Sequence, residues 1–276
     1  MSMDVEAEAQ PGSISALSRV VGGLRLSVST LTILRVGAPL ADRRTAGVAM
    51  GFAPLVGLGL GAVAAGVGQL GYWWTQSPLV SAALAIATLA ATTRALHLDG
   101  LADTADGLGL GPNRPADEAL QVMKRSDIGP FGVAALVLVL VLQVSALTDT
   151  YTIHRGAVAV IVAAVAGRLA VTAACCGPVP SARPEGLGAW VAGSVRVWAA
   201  VVVGVLAAAA CGGLGLLYVD AQTAALAAAA VAFGLAGALV LLRHCVKRFG
   251  GITGDVLGAL VETGATIALF VLALRP

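Results

Sequence analysis

Seven apolar runs, each close to the ~20 residues a helix needs to cross a bilayer, dominate this chain of 276 residues. They fall at roughly 46–70, 78–97, 130–147, 156–176, 197–218, 221–242 and 255–274. Lipid offers a backbone no hydrogen-bond partners, so such runs satisfy themselves as helices. Only 12% of the residues are charged, where soluble domains carry about 25%. The expected fold is therefore an all-α polytopic membrane protein with about seven transmembrane helices. One integral-membrane domain, 13–276, is expected after a disordered tail, 1–12. Asp4, Glu6 and Glu8 open that tail, where a secretory leader would be basic.

From Ser13 on, Ile14, Leu17, Val21, Leu24, Val28 and Leu31 recur every three or four residues. That spacing predicts an amphipathic helix on the membrane surface or packed under the bundle, ended by Gly37 and Pro39. Basic residues gather on one side: Arg19, Arg25, Arg35, Arg43, Arg44, Arg94, Arg114, Lys124, Arg125, Arg183, Arg196, Arg243, Lys247 and Arg248. The other side has Arg155 and Arg275. Basic loops stay in the cytoplasm, so the N-terminus is expected inside and the C-terminus outside. Tyr72, Trp73 and Trp74 then form an outer belt, with Trp190 and Trp198 near the inner interface. A net charge of +2 gives no reason to expect nucleic acid. Cys175, Cys176, Cys211 and Cys245 lack metal-type spacing and read as small apolar filler.

The polar residues that remain are unevenly placed. Asp99, Asp103 and Asp106 follow one another at offsets of four and seven, which puts all three on one face of a helix. Such a face repels itself and invites a divalent cation bridging to phosphate. Asp255 and Glu262 repeat the seven-residue offset before the C-terminus. Cations on the same side are Arg35, Lys124, Arg125, Arg183, Lys247 and Arg248, and Arg168 lies inside the fourth run, where it should face a partner or an anion. Gly250, Gly251 and Gly254 precede a helix start, whose free N–H groups favour phosphate. Asn113 to Glu118, with Pro115 in the first turn, reads as a short helix with Leu120 and Met123 on its apolar face. Carboxylates, cations and a glycine turn together point to Mg²⁺-assisted transfer chemistry on a diphosphate.

His97-Leu-Asp-Gly-Leu-Ala-Asp-Thr-Ala-Asp-Gly107 resembles the signature of the cobalamin synthase family, the adenosylcobinamide-GDP ribazoletransferases. Thr32 and Pro54 to Gly57 with Gly61 before it, and Met123 to Gly132, Gly167-Arg168, Glu185 to Gly188, and Gly250 to Ala259 with Glu262 after it, resemble the family's other motifs in order. One departure is the order Arg125-Ser-Asp127, with the usual acid and arginine exchanged, so no contact is carried over there. The resemblance implies attack by the 5′-hydroxyl of α-ribazole, or of its 5′-phosphate, on the cobinamide-side phosphorus of adenosylcobinamide-GDP. GMP leaves, and adenosylcobalamin or its phosphate forms. It implies Mg²⁺, a place in the cytoplasmic (inner) membrane and an active site facing the cytoplasm. Expected partners besides the substrates are the bilayer and either a second copy or other cobalamin-assembly enzymes. On this basis Asp99, Asp103 and Asp106 hold the metal and diphosphate, with Asp106, Asp103 or His97 as the base. Asp255 and Glu262 form a second acidic site, for metal or for ribazole, and Arg168 with Lys247 or Arg248 neutralises the departing GMP.

Two enzyme types with spaced aspartates remain as alternatives, CDP-alcohol phosphotransferases and prenyltransferases. The first has an Ala-Arg pair after Asp-Gly, where this chain has Leu101-Ala-Asp103; the second has a further acid-rich motif, which is missing. A transporter would place its polar residues at the midplane, and here they cluster at one face.

Overall fold

The computed structural model describes residues 16–37 and 42–275. The expected tail, the first residues of the amphipathic helix and Pro39 lie outside them. Among the described residues, six helices are long and apolar enough to cross a membrane. These are α3 (Ala53–Thr75), α7 (Pro130–Thr152), α8 (Gly156–Ala174), α10 (Val197–Tyr218), α11 (Ala221–Phe249) and α12 (Gly254–Ala273). A seventh crossing is counted when α4 (Pro78–Thr92), short at 15 residues, is taken together with α5 (Leu96–Gly109) as one span bent by 87°; past the bend α5 packs on α12. The chain is thus a multi-pass, all-α membrane protein, as its apolar runs require.

The first run breaks into two helices at Phe52. Asp42 caps α2 (Arg43–Gly51) by accepting from the Thr45 amide at 2.8 Å. Pro54, which has no N–H to lose, sits in the first turn of α3. Helix α1 (Ala16–Leu31) is amphipathic and packs on α2. Gly22, Gly23 and Leu26 are buried, and Leu17, Val20 and Val21 are exposed. A glycine face seats it on α2, and an apolar face is left for lipid.

Helix α8 is the axis of the bundle. It is buried along nearly its whole length and touches α3, α7, α10, α11 and α12. Small residues permit this closeness: a Cβ on Gly57 or Gly61 would strike the α8 backbone at Ala164 or Ile161. Four short elements close the end that carries most of the basic residues: α2, α5, α6 (Ala116–Val122) and α9 (Leu187–Val191). Leu120 and Met123 of the α6 segment are buried as its pattern predicts. All four cysteines are free and buried. Trp73 and Trp74 are exposed at the opposite end, and Tyr72 stacks on Tyr151 with ring centroids 6.2 Å apart.

Candidate active site

The acids of α5 owe their placement to a corner and a close approach. Arg94 and Ala95 both adopt left-handed backbone, with φ of 55°, a conformation that non-glycine residues hold only when their surroundings enforce it. The Ala95 amide donates back to the Ala90 carbonyl at 2.7 Å, and the Thr93 hydroxyl to that of Leu89. This corner aims α5 across the start of α12. There Gly100 meets the α12 backbone: a Cβ on it would stand 2.6 Å from the Asp255 carbonyl oxygen. Gly258 answers it, with a Cβ position 3.0 Å from the His97 carbonyl. Glycine against glycine brings Asp99 and Asp103 of α5 beside Asp255 of α12.

A second clasp supplies the cation. The Ile252 amide donates to the Pro180 carbonyl at 2.9 Å, and the Ala182 amide to that of Ile252 at 3.0 Å. The two loops so joined carry Arg183 to Asp255, Nη1 to Oδ2 at 3.5 Å, while Nη2 donates to the Leu120 carbonyl at 2.7 Å. Thr253 caps α12, accepting from the Val256 amide at 3.1 Å, and its hydroxyl donates to Asp255. The result is a cleft of about 270 Å³ lined by His97, Asp99, Arg183, Glu185, Gly254 and Asp255, among others. Acids from two helices, one arginine and a helix N-terminus face a single space.

The carboxylates feel one another. Burial, then Asp255, Asp99 and Asp106, push Asp103 up to about 7, and Arg183 offsets this in part. Burial and neighbouring carboxylates thus favour its protonated form in the absence of a cation. Among the described residues, however, no three of the histidines, cysteines and carboxylates converge as a ready-made cage. Asp99 and Asp255 line the cleft, Asp103 is outside its lining, and two carboxylates fit only a metal that takes phosphate oxygens as further ligands, the habit of Mg²⁺. They do not fit one held by protein alone.

Several expected site residues have other tasks. Asp106 does not join the cleft. Its Oδ2 accepts from the Gly129 amide at 2.7 Å and its Oδ1 from that of Gly132 at 2.9 Å, so both oxygens satisfy the orphan donors at the start of α7. Glu262, two turns beyond Asp255, is drawn into the bundle and accepts from Gln143 Nε2 at 2.7 Å. Gln143 also reaches the Thr266 hydroxyl at 3.0 Å. Gly250 ends α11 with φ of 83°, and Gly251 packs against the Pro180 carbonyl in the loop clasp. Of the three glycines, only Gly254 lines the cleft. Arg35, Lys124 and Lys247 are exposed and outside its lining; Arg248 is half-buried, 5.9 Å over the Phe249 ring.

Arg168 is neither exposed nor in the cleft. It is 3% exposed, within electrostatic reach of Glu262, and its Nη2 lies 3.4 Å from His97 Nδ1. A guanidinium can only donate, so Nδ1 accepts and the ring proton sits on Nε2. Burial and then the Arg168 charge hold His97 well below the usual histidine range, so the ring stays neutral. With Nδ1 taken up by Arg168, Nε2 is left buried and without a hydrogen-bond partner. Arg168, Glu262, Gln143 and His97 line a small interior chamber, with about 30 Å³ of room for water centres. One water needs ~10–15 Å³. His97 alone of the four also lines the cleft.

Sequence reasoning missed Glu185, Gln143 and Thr253 as site residues. Gln143 had a usable signal, a lone amide in an apolar span. Thr253 had another, a hydroxyl just before a helix start.

Comparison with known proteins bears on what this geometry does. Residues 23–273 match the family described as cobalamin-5-phosphate synthase. The chain is 44% identical to an adenosylcobinamide-GDP ribazoletransferase of Frankia casuarinae, over 91% of this chain and 94% of that one. It is 40% identical to one from a Nocardioides species, over 91% and 98%. A third, from Bradyrhizobium diazoefficiens, is 38% identical over 95% and 97%. No solved structure matches.

Proposed function

The chain belongs to the cobalamin-5-phosphate synthase family, and from that premise we propose that the Asp99–Asp255 cleft is where it acts as an adenosylcobinamide-GDP ribazoletransferase. The reaction completes the nucleotide loop of cobalamin. One observation carries the placement: acids from α5 and α12 meet Arg183 and the α12 N-terminus in one cleft, the donor set a diphosphate requires.

Adenosylcobinamide-GDP presents its diphosphate to the open N–H groups at the start of α12 and to Arg183. Asp99 and Asp255 are the residues that would hold Mg²⁺. When bound, that ion offsets charge on the diphosphate and on the leaving GMP. The 5′-hydroxyl of α-ribazole, or of its 5′-phosphate, attacks the cobinamide-side phosphorus in line with the bond to GMP. A new O–P bond forms, the P–O bond to GMP breaks, and the hydroxyl proton passes to Asp103. A carboxylate near 7 is well matched to that role. His97 Nε2–H donates to a phosphate oxygen as charge develops on it. The cleft lies at the end of the bundle richest in basic residues, which supports a cytoplasmic site in the cytoplasmic membrane.

Purified membranes incubated with adenosylcobinamide-GDP, α-ribazole and Mg²⁺ should yield a cobalamin and GMP in equal amounts. GMP release without cobalamin would mean that water, not ribazole, is the acceptor. No turnover with either ribazole form would overturn the assignment.

A further inference from the structure

A second charged cleft, of about 390 Å³, opens on the far side of α2 from the active site. Arg19 of α1, Arg44 of α2 and Arg196 at the start of α10 line it, with Ser194 between them. Helix α2 is the dividing wall: Met50 lines the active-site cleft, and Gly47, Val48 and Gly51 line this one. The wall is tightly set, since a Cβ on Gly47 would strike the Ser194 carbonyl oxygen, and Arg43 donates to the Ala192 carbonyl.

Three guanidiniums here face little that offsets them. Asp42 is within electrostatic reach of Arg19 and Arg44, but its Oδ1 already serves the Thr45 amide and hydroxyl. None of the three arginines has an ion pair among the described residues. The Arg19 Nε and the Ser194 Oγ are buried without a hydrogen-bond partner, which costs stability unless something fills the space. Arg196 is also the N-cap of the 22-residue helix α10 and gives it no side-chain cap, so the first amides of that helix are open to an acceptor. The rim continues into Ala199 and Val203, on a helix whose outer face (Val201, Val202, Val205) is exposed apolar surface for lipid.

We infer that this cleft seats a phosphate-bearing anion, and that its apolar lip fits it to the headgroup of an anionic phospholipid. The three arginines clasp the phosphate, Ser194 and the α10 amides donate to it, and the acyl chains lie along Val203. Because α2 also walls the active site, an occupied seat braces that wall. The inference does not depend on the reaction assigned above.

The test is lipid retention. Full-length protein is purified from mixed phosphatidylglycerol and phosphatidylcholine, and bound lipid is counted by native mass spectrometry. Wild type should retain phosphatidylglycerol over phosphatidylcholine by at least about fivefold, since each arginine near a membrane surface adds roughly 1 kcal/mol toward anionic lipid. The R19Q/R44Q/R196Q variant should lose that preference, and the charge-matched R25Q/R114Q/R243Q variant should keep it. Ser194→Asp, which places a carboxylate in the seat and spares the arginines, should lose it as well. A second arm offers inorganic phosphate to protein in pure phosphatidylcholine nanodiscs. Binding there that R19Q/R44Q/R196Q abolishes, with no phosphatidylglycerol preference, would keep the anion seat and make its ligand soluble. No binding in either arm, or equal loss in both triple variants, overturns the inference.

Discussion

Arg168 Nη2 stands 3.4 Å from His97 Nδ1, both side chains buried, and this contact fixes which nitrogen of the imidazole carries its proton. Under the proposed mechanism His97 donates through Nε2–H, a buried nitrogen with no partner of its own. Glutamine can imitate that donor and cannot act as a base. His97→Gln should keep kcat within about tenfold of wild type, whereas His97→Ala should lose on the order of 100-fold, the usual loss for one such donor. Equal losses in both, with a changed pH profile, would restore His97 as a base. Arg168→Gln should lower kcat in the His97 background and have little further effect in His97→Ala, the non-additivity expected of residues acting as a unit.

Asp103 sets the pH dependence. Its carboxyl is raised to about 7, and a base works only when deprotonated. At limiting Mg²⁺, kcat/KM should rise about tenfold per pH unit up to about 7 and then level off, and saturating Mg²⁺ should move that limb to lower pH. Asp103→Asn should remove the limb and cost at least about 100-fold in rate, without rescue by metal. Asp99→Asn should instead raise the Mg²⁺ requirement, with partial rescue in excess metal.

Asp106 answers differently again. Asparagine can accept from one of the two amides that the carboxylate serves, so Asp106→Asn should destabilise the protein by about 1 kcal/mol. The Mg²⁺ dependence of the residual activity should be unchanged. Thermal unfolding in detergent alongside a metal titration separates the two effects, and a shifted Mg²⁺ requirement would return Asp106 to the metal site.

Gly100 has no room for a methyl group, because its obstacle is the Asp255 backbone at 2.6 Å. Gly100→Ala should force α5 off α12, cost about 1–3 kcal/mol and abolish turnover even where the protein still inserts. Gly59 in α3 has open space around its Cβ position, so Gly59→Ala should leave activity intact.

The alternation of the seven crossings predicts sidedness. A reporter fused after Arg275 should lie outside, and one inserted near Asn113 should lie in the cytoplasm. A single compartment for both positions would contradict the arrangement of the crossings.

The helices and the helical spacing of Asp99 and Asp103 could be read in the sequence because apolar length and period are local properties. The fate of Asp106 could not, since its partners are backbone amides of Gly129 and Gly132, and no side chain advertises them. Nor could the corner at Arg94 and Ala95: the apolar pattern runs straight through it, and neither residue favours left-handed backbone. Arg168 was legible as a costly buried charge in need of a partner. That the partner is His97, 71 residues earlier, follows from helix packing, on which the pattern is silent.

The pairing of α5 with α12 also sets a schedule. About 150 residues separate Asp103 from Asp255, and at ~5–20 residues per second a ribosome takes roughly 8–30 s to cover that distance. For that interval the early helices are already made, while the acids of α5 wait for the glycine face of α12; Arg183 arrives about halfway through. The catalytic centre is thus the last part of the protein to come into being. A chain stopped before the final crossing would lack Asp255 and leave the α8 face that α12 covers open to lipid.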